Sequence, residues 1–313
     1  MNTRQLLYLV TCARTGSIAA TARELNIAQP SVSQQLAALE HELKTRLLER
    51  DHTGVHLTPA GEKFLPVAET TVQQLELARR QLLEDGGEPS GRVVLGMSQP
   101  TGNALAVPLF AEVNRRYPGI ELDLQTGLSS SLYQLLRQGD VDLLVSSDDA
   151  SPHMGMISRP LLNERLFLAV GTGAAAVFDS LLQRDCIRFA ELTDYRVIYT
   201  SERDSLGFRV AQYEQLVGVK LQRQNPFGQL LTSLRYVIEG YGLLICSTTA
   251  VYPQVNSGAI KLLPITDPDM TRQVNLVHMH ERPETRAMTL VAELIGELSQ
   301  QLIADGIWAA SQP

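Results

Sequence analysis

Cysteine is scarce in this chain: Cys12, Cys186 and Cys246 are the three in 313 residues, odd in number and far apart. That excludes a disulfide framework and suits reduced thiols in a cytoplasm. With no local signature joining them, Cys186 and Cys246 are expected to be buried and inert. Long hydrophobic runs are missing as well. No stretch of about 18 apolar residues exists, so no membrane-spanning helix is expected. A signal-peptide pattern is absent from the N-terminus, where Gln5, Thr11, Cys12 and Arg14 interrupt any apolar segment. The expected location is the cytoplasm.

Excess positive charge is lacking too. Lys and Arg number 27 against 34 Asp and Glu, a net charge of −7, which argues mildly against a nucleic-acid binder. The distribution is uneven. Residues 1–61 carry six cations (Arg4, Arg14, Arg23, Lys44, Arg46, Arg50) against five acids. One such module neutralises few phosphates, so useful DNA affinity requires two or more acting together.

Catalytic and metal constellations are wanting. Gly127-Leu128-Ser129-Ser130-Ser131 is not a nucleophile elbow, and no histidine is spaced as its base. His278 and His280 alternate without a cysteine or carboxylate cluster, which favours structural or solvated histidines. Gly139-Asp140-Val141-Asp142 reads as a turn into a buried strand. No catalytic residue, metal or cofactor is expected. At 44% hydrophobic and 19% charged, the chain has the composition of a globular protein with two or three domains.

What is present begins at residues 17–40, which read as two short helices joined by a tight turn. Ile18, Ala22 and Leu25 form the apolar side of the first; Val32, Leu36, Leu39 and Leu43, spaced by 4, 3 and 4, form that of the second. Gln29, Ser31, Ser33, Gln34 and Gln35 are left on a polar face suited to a DNA groove. Ser17 is placed to cap the first helix, and Pro30 removes an N–H that the start of the second leaves unpaired. Leu6, Leu9, Val10 and Ala13 predict a preceding helix. Two extended runs around Asp51-His52-Thr53-Gly54 predict a β-hairpin wing. There Arg50, His52 and Thr53 lie along the phosphate backbone.

Pro59-Ala60-Gly61 opens a long helix. Its residues Phe64, Ala68, Thr71, Leu75, Ala78 and Leu82 repeat as a heptad seam, read either as a subunit-pairing surface or as a face packed on its own domain. Gly86-Gly87-Glu88-Pro89-Ser90-Gly91 breaks the chain. Beyond it, strands at 92–97, 120–126 and 141–146 alternate with helices at 103–117 and 129–138. A second α/β unit follows the crossing at 163–170: strands at 196–200, 219–224 and 243–247, with helices at 207–217 and 228–240. A return strand at 273–280 and a final helix at 284–304 complete it. This order predicts mostly parallel sheets.

The stretch Leu6–Gly61 resembles the winged helix-turn-helix of LysR-type transcriptional regulators. The matching residues are Gly16-Ser17, Ala19-Ala20-x-Ala22, Leu25, Gln29-Pro30-x-Val32-Ser33-x-Gln35-Leu36 and Leu39-Glu40, then Leu47-Leu48-x-Arg50 and Leu57-Thr58-x-Ala60-Gly61. Gln34 departs from the pattern, since many relatives carry arginine there.

The resemblance implies an α/β protein overall: a winged helix-turn-helix over 1–61, a dimerisation helix over 59–86 and a hinge at 87–91. Over 92–313 it implies a two-lobed effector domain like periplasmic binding proteins, with lobe I at about 92–165 and 268–313 and lobe II at about 166–267. It also implies double-stranded promoter DNA, a small-molecule effector, and a homo-oligomer (dimer or tetramer) as partners, with RNA polymerase added for an activator.

The effector cleft falls at strand-to-helix junctions. Ser98, Gln99 and Thr101 occupy one, Ser129 and Ser130 a second, Thr200 and Ser201 a third, and Phe227 and Gln229 a fourth. Hydroxyls and helix starts there suit a small polar or anionic metabolite, although serine and threonine at such places also cap helices. Arg209 either faces the cleft or pairs with a nearby acid. A metabolite-binding or enzymatic α/β protein with an accessory helical domain is the alternative.

Overall fold

The structure is a computed structural model that describes residues 1–51, 54–84, 87–147, 155–173, 178–200, 204–225, 229–282 and 284–313, without the side chains of 50, 51, 73 and 76–84. The chain divides into two compact units, Met1–Gly86 and Gly87–Pro313.

In the first unit, helix α1 (Thr3–Thr15) starts in a capping box between Asn2 and Gln5 and ends at left-handed Gly16. Helix α2 (Ile18–Glu24) is capped by the Ser17 hydroxyl, which accepts the Ala20 N–H at 3.4 Å. Helix α3 (Gln29–Leu43) follows a turn in which Asn26 adopts φ 52°. Val32, Leu36 and Leu39 are buried with Leu9, Cys12, Ile18 and Ala22 in one core. Strands β1 (Leu48–Asp51) and β2 (Gly54–Leu57) pair antiparallel as the wing.

Two side chains join these pieces. The Glu40 Oε1 on α3 accepts the N–H groups of Leu47 (2.8 Å) and Leu48 (3.0 Å). The Thr58 hydroxyl donates to the Arg46 carbonyl and accepts the Gly61 N–H. Gly61 must be glycine, because a Cβ there would collide with the Leu47 carbonyl oxygen.

Helix α4 (Pro59–Glu84) corrects the expected seam. Phe64, Ala68 and Val72, one stripe at a spacing of four, pack into the core of their own module, where Ala68 is fully buried. Val67 (59% exposed), half-buried Thr71 and Leu75 (46% exposed) make a separate outward line. The heptad spacing therefore merges two faces: Phe64 and Ala68 serve the module, while Thr71 and Leu75 stay outside its core. The side chains of Ala78 and Leu82 lie outside the described residues.

The second unit runs in order through β3 (Ser90–Met97), α5 (Gln99–Arg116), β4 (Gly119–Thr126), α6 (Ser129–Gln138), β5 (Leu143–Ser146), β6 (Met156–Gly171), α7 (Asp179–Leu182) and β7 (Ile187–Arg188). It continues with β8 (Arg196–Ile198), α8 (Ser205–Val217), β9 (Gln222–Gln224), α9 (Leu230–Ile238), β10 (Leu243–Ser247), α10 (Thr248–Asn256) and β11 (Ile260–Thr266). Last come β12 (Thr271–Met279), α11 (Arg286–Ala304) and β13 (Ala310–Ser311).

The sheet order is β4-β3-β5-β12-β6-β10-β8-β9, with β11 and β13 also on β6. Strands β4, β3 and β5 are parallel, as are β10, β8 and β9, each set forming one lobe. The expectation of mostly parallel sheets fails at the crossing strands. Strand β6 runs antiparallel to β12, β10 and β11. Its residues 156–165 pair with β12, and 166–171 pair with β10 and β11, so one strand belongs to both lobes. A bulge lies opposite Val274 and Asn275, at Pro160–Leu162, a position that tolerates proline's missing N–H. Separate apolar cores fill the lobes, around Val93, Leu95, Leu109 and Val291 in one and Leu168, Ile187, Phe189 and Val210 in the other. At the turn into β5, Asp142 Oδ2 accepts the Val94 N–H at 2.8 Å, a structural task.

Candidate functional site

On α3 the buried stripe of Val32, Leu36 and Leu39 leaves Gln29, Pro30, Ser31 and Gln34 exposed, with Ser33 and Gln35 half-buried beside them. The helix begins at Ala28 in extended geometry without a side-chain cap, and Pro30 sits in its first turn. An uncapped, exposed helix start flanked by amide and hydroxyl side chains can donate to phosphates and base edges. Ser17 lies at the start of α2, where its hydroxyl is engaged as a cap. His52, Thr53 and the side chain of Arg50 lie outside the described residues.

Between the lobes of the second unit lies a cavity of about 500 Å³. Ser98, Gln99, Ser129, Thr200 and Gln229 line it, so the structure brings five predicted residues together. Thr101 and Ser130 are corrections, as neither borders it. Thr101 is buried, its hydroxyl 3.0 Å from the Ser98 Oγ, and Ser130 lies one residue further round α6, exposed to solvent. Ser201 and Phe227 lie outside the described residues.

The cavity is also less polar than expected. Leu128, Ile198, Leu206, Leu230, Leu244 and Ala250 line it alongside the hydroxyls, contributed by the start of α6 and by β8, α8, α9, β10 and α10.

Its charged groups escaped the sequence reading. Asp204 occupies the N-cap position of α8 but makes no cap bond to that helix. Its Oδ1 instead accepts the Ser129 N–H at 3.1 Å, capping α6 of the other lobe. Helix α6 has no side-chain cap of its own, since its N-cap residue is Leu128. Beside it, the Ser205 hydroxyl lies 3.3 Å from Ser129 Oγ and 3.2 Å from Ser147 Oγ. The anion-friendly start of α6 is thus occupied by a carboxylate from within the chain.

Arg272 on β12 also lines the cavity and is buried. Its Nε donates to Glu164 Oε1 at 2.5 Å and its Nη1 reaches Ser205 Oγ at 3.5 Å, while Trp308 Nε1 donates to Glu164 Oε2 at 2.9 Å. A sequence signal for this pair existed: in the alternation of each crossing strand Glu164 falls in step with Leu162 and Leu166, and Arg272 with Val274 and Leu276, at inward places where a buried charge needs a partner. Cys246 borders the same space; burial pushes its thiol up to about 12, outweighing the opposing field of Arg272. Cys186 is exposed, contrary to expectation, because its neighbour Ile187 takes the core-facing place in β7.

Arg209 does not line the cavity. It donates to the Thr271 carbonyl at 2.6 Å and to Gln212 at 2.8 Å, and stacks 5.5 Å from the Tyr213 ring. His278 Nε2 is 3.0 Å from Glu284. Among the described residues no group of three or more His, Cys, Asp or Glu side chains is placed to hold a metal ion. No helix among them is long and apolar enough to cross a membrane.

Two family models match the chain: the bacterial regulatory helix-turn-helix protein, lysR family, over residues 3–62, and the LysR substrate binding domain over 86–300. The nitrogen assimilation regulatory protein Nac of Escherichia coli K12 is 26% identical over 317 residues, covering 100% of this chain and 98% of that one. Nac of Klebsiella aerogenes is 37% identical over 173 residues, and there the match spans 55% of this chain and 56% of that relative. Among solved structures, a full-length cysteine-to-aspartate variant of OxyR from Pseudomonas aeruginosa shares the fold, with a TM-score of 0.75 at 22% identity over 95% of this chain and 98% of that one. The chain belongs to the LysR family of transcriptional regulators, a DNA-binding helix-turn-helix joined to an effector-binding α/β domain.

Proposed function

We propose that the protein reads paired half-sites in double-stranded promoter DNA as a homo-oligomer, and that a small polar metabolite in the interlobe cavity sets its activity. The observation that carries this is α3: an exposed Gln29-Pro30-Ser31 start and Gln34 over a buried Val32/Leu36/Leu39 stripe. The nearly neutral module supplies little affinity alone, so pairing is part of the proposal, with the outward Val67/Thr71/Leu75 line of α4 as its surface. A dimer, or a tetramer built as a dimer of dimers, presents its recognition helices two or four at a time. In an activator, RNA polymerase is the further partner. The place of action is the cytoplasm, and no cofactor takes part.

The effector shifts the balance between two arrangements of the lobes by its differential affinity for them, which alters how effector domains pack in the oligomer. A thiol trigger is disfavoured at Cys246, since a thiol raised to about 12 stays protonated and unreactive at neutral pH.

Gel-shift titration against genomic fragments bearing palindromic sites, with and without metabolites, tests the reading. Retarded bands whose midpoint moves with a metabolite are expected. Failure to bind any fragment at low salt overturns it.

A further inference from the structure

The charges bordering the interlobe cavity bear on what it holds. Asp204 is in the N-cap position of α8, where an aspartate ordinarily turns back to its own first turn. This one does not. It is about nine-tenths buried, faces the other lobe, and gives one oxygen to the Ser129 N–H at 3.1 Å. A carboxylate offers about four acceptor positions, and the amide fills one. Among the described residues no lysine or arginine is bonded to Asp204: on the same lining, Arg272 gives its Nε to Glu164 and Arg223 donates to Asn225. A buried carboxylate without a cation is costly, and a ligand that brings one relieves that cost. Asp204 already sets a negative charge at the start of α6, which disfavours a second, simple anion there.

Arg272 borders the same cavity, its Nη1 3.5 Å from the Oγ of Ser205, the residue after Asp204, so the lining carries charges of both signs. Leu128, Ile198, Leu230 and Leu244 supply apolar surface to the same lining. We propose that the cavity takes an apolar α-amino acid, its ammonium group on Asp204, its carboxylate toward Arg272 and its side chain on the leucine-rich wall. This rests on the reading of the cavity as the effector site and specifies the ligand's charge.

Calorimetry on the full chain tests it. Twenty L-amino acids are screened first. The apolar binders are then compared with their 2-oxo acids and N-acetyl derivatives, which keep the carboxylate and side chain and lose the ammonium. Binding by one or more apolar amino acids is expected, weakened at least about tenfold when the ammonium is removed. Asp204→Asn, which keeps a carbonyl oxygen for the Ser129 N–H, is expected to lose the preference for the amine while unfolding at the same temperature.

Equal or tighter binding of the 2-oxo acid overturns the assignment, as does amino-acid binding unchanged in Asp204→Asn, or no binding by any amino acid at millimolar concentration. If the asparagine variant does not fold, the ligand series on the unaltered protein decides alone. A 2-oxo acid that binds and moves the gel-shift midpoint leaves the effector reading standing and removes only the ammonium. An amino acid that binds without changing DNA affinity does the reverse.

Discussion

Glu164 and Arg272, 108 residues apart in sequence, meet at 2.5 Å with side chains only 2% and 7% exposed. Trp308 donates to the second oxygen of the same carboxylate. Removing one partner strands a buried charge, so Glu164→Ala is expected to cost about 3–5 kcal/mol in chemical denaturation. Replacing both by apolar residues, Glu164→Leu with Arg272→Met, is expected to recover most of that loss. A single mutant as stable as the parent would show that the pair is not buried.

Gly61 lies under the wing, and its lack of a side chain lets α4 start against the Leu47 carbonyl. Gly61→Ala is expected to destabilise the first unit by about 2–4 kcal/mol, in the range of overpacking and backbone strain. Gly87→Ala meets open space and serves as the control, with an expected effect within about 0.5 kcal/mol. Differential scanning calorimetry distinguishes the two.

The two faces of α4 separate folding from pairing. Ala68→Glu drives a charge into the module core and is expected to abolish the folded first unit and DNA binding together. Leu75→Glu alters an exposed position and is expected to leave helix content intact while lowering the mass seen by light scattering at micromolar concentration. Unchanged mass in Leu75→Glu would remove the outward line from the proposed dimer surface.

Gln29→Ala and Ser33→Ala are expected to reduce discrimination between operator and random DNA by about 1–3 kcal/mol per lost base contact, with little change in salt dependence. Fluorescence anisotropy on both duplexes reads this directly. Ser33→Ala with site preference retained would displace α3 as the reading helix.

Thiol labelling follows the burial. Cys186 is exposed and is expected to react promptly with Ellman's reagent, whereas Cys246, held protonated with a pKa of about 12, stays silent. The sign is that of an acid whose charged form is penalised by burial: the thiolate is scarce below its raised pKa. Cys246 is therefore expected to stay silent up to about pH 9 while the fold persists. Rapid labelling of Cys246 in the folded protein would contradict its burial.

Local chemistry was the legible part of the chain. The stripe Val32/Leu36/Leu39, the Ser17 cap, helix 129–138 and strand 243–247 follow from neighbours a few residues apart, and the structure has them where the pattern placed them. Helix α10, strand β11 and the first half of β6 went unread. In β6 the exposed run Ile157–Pro160 masks a strand that its partner β12 imposes. The heptad in α4 was real, yet spacing does not say which molecule covers a face, and Phe64 and Ala68 turned inward. Ser98 and Ser129 were legible as junction residues, while Asp204, 75 residues from the amide it caps, was not. Long-range polar partners leave only a trace, a charge where the pattern calls for an apolar residue, and Glu164 and Arg272 show how easily it is passed over.

Strand β6, sixteen residues long, is hydrogen-bonded along one half to lobe I and along the other to lobe II. Such a member does not fold like a door. Any change in the angle between the lobes must be taken up within a continuous strand, whose pairing passes from β12 to β10 and β11 at Arg165–Leu166. The two lobe arrangements then differ by a twist of one shared strand rather than by rotation about a loose joint.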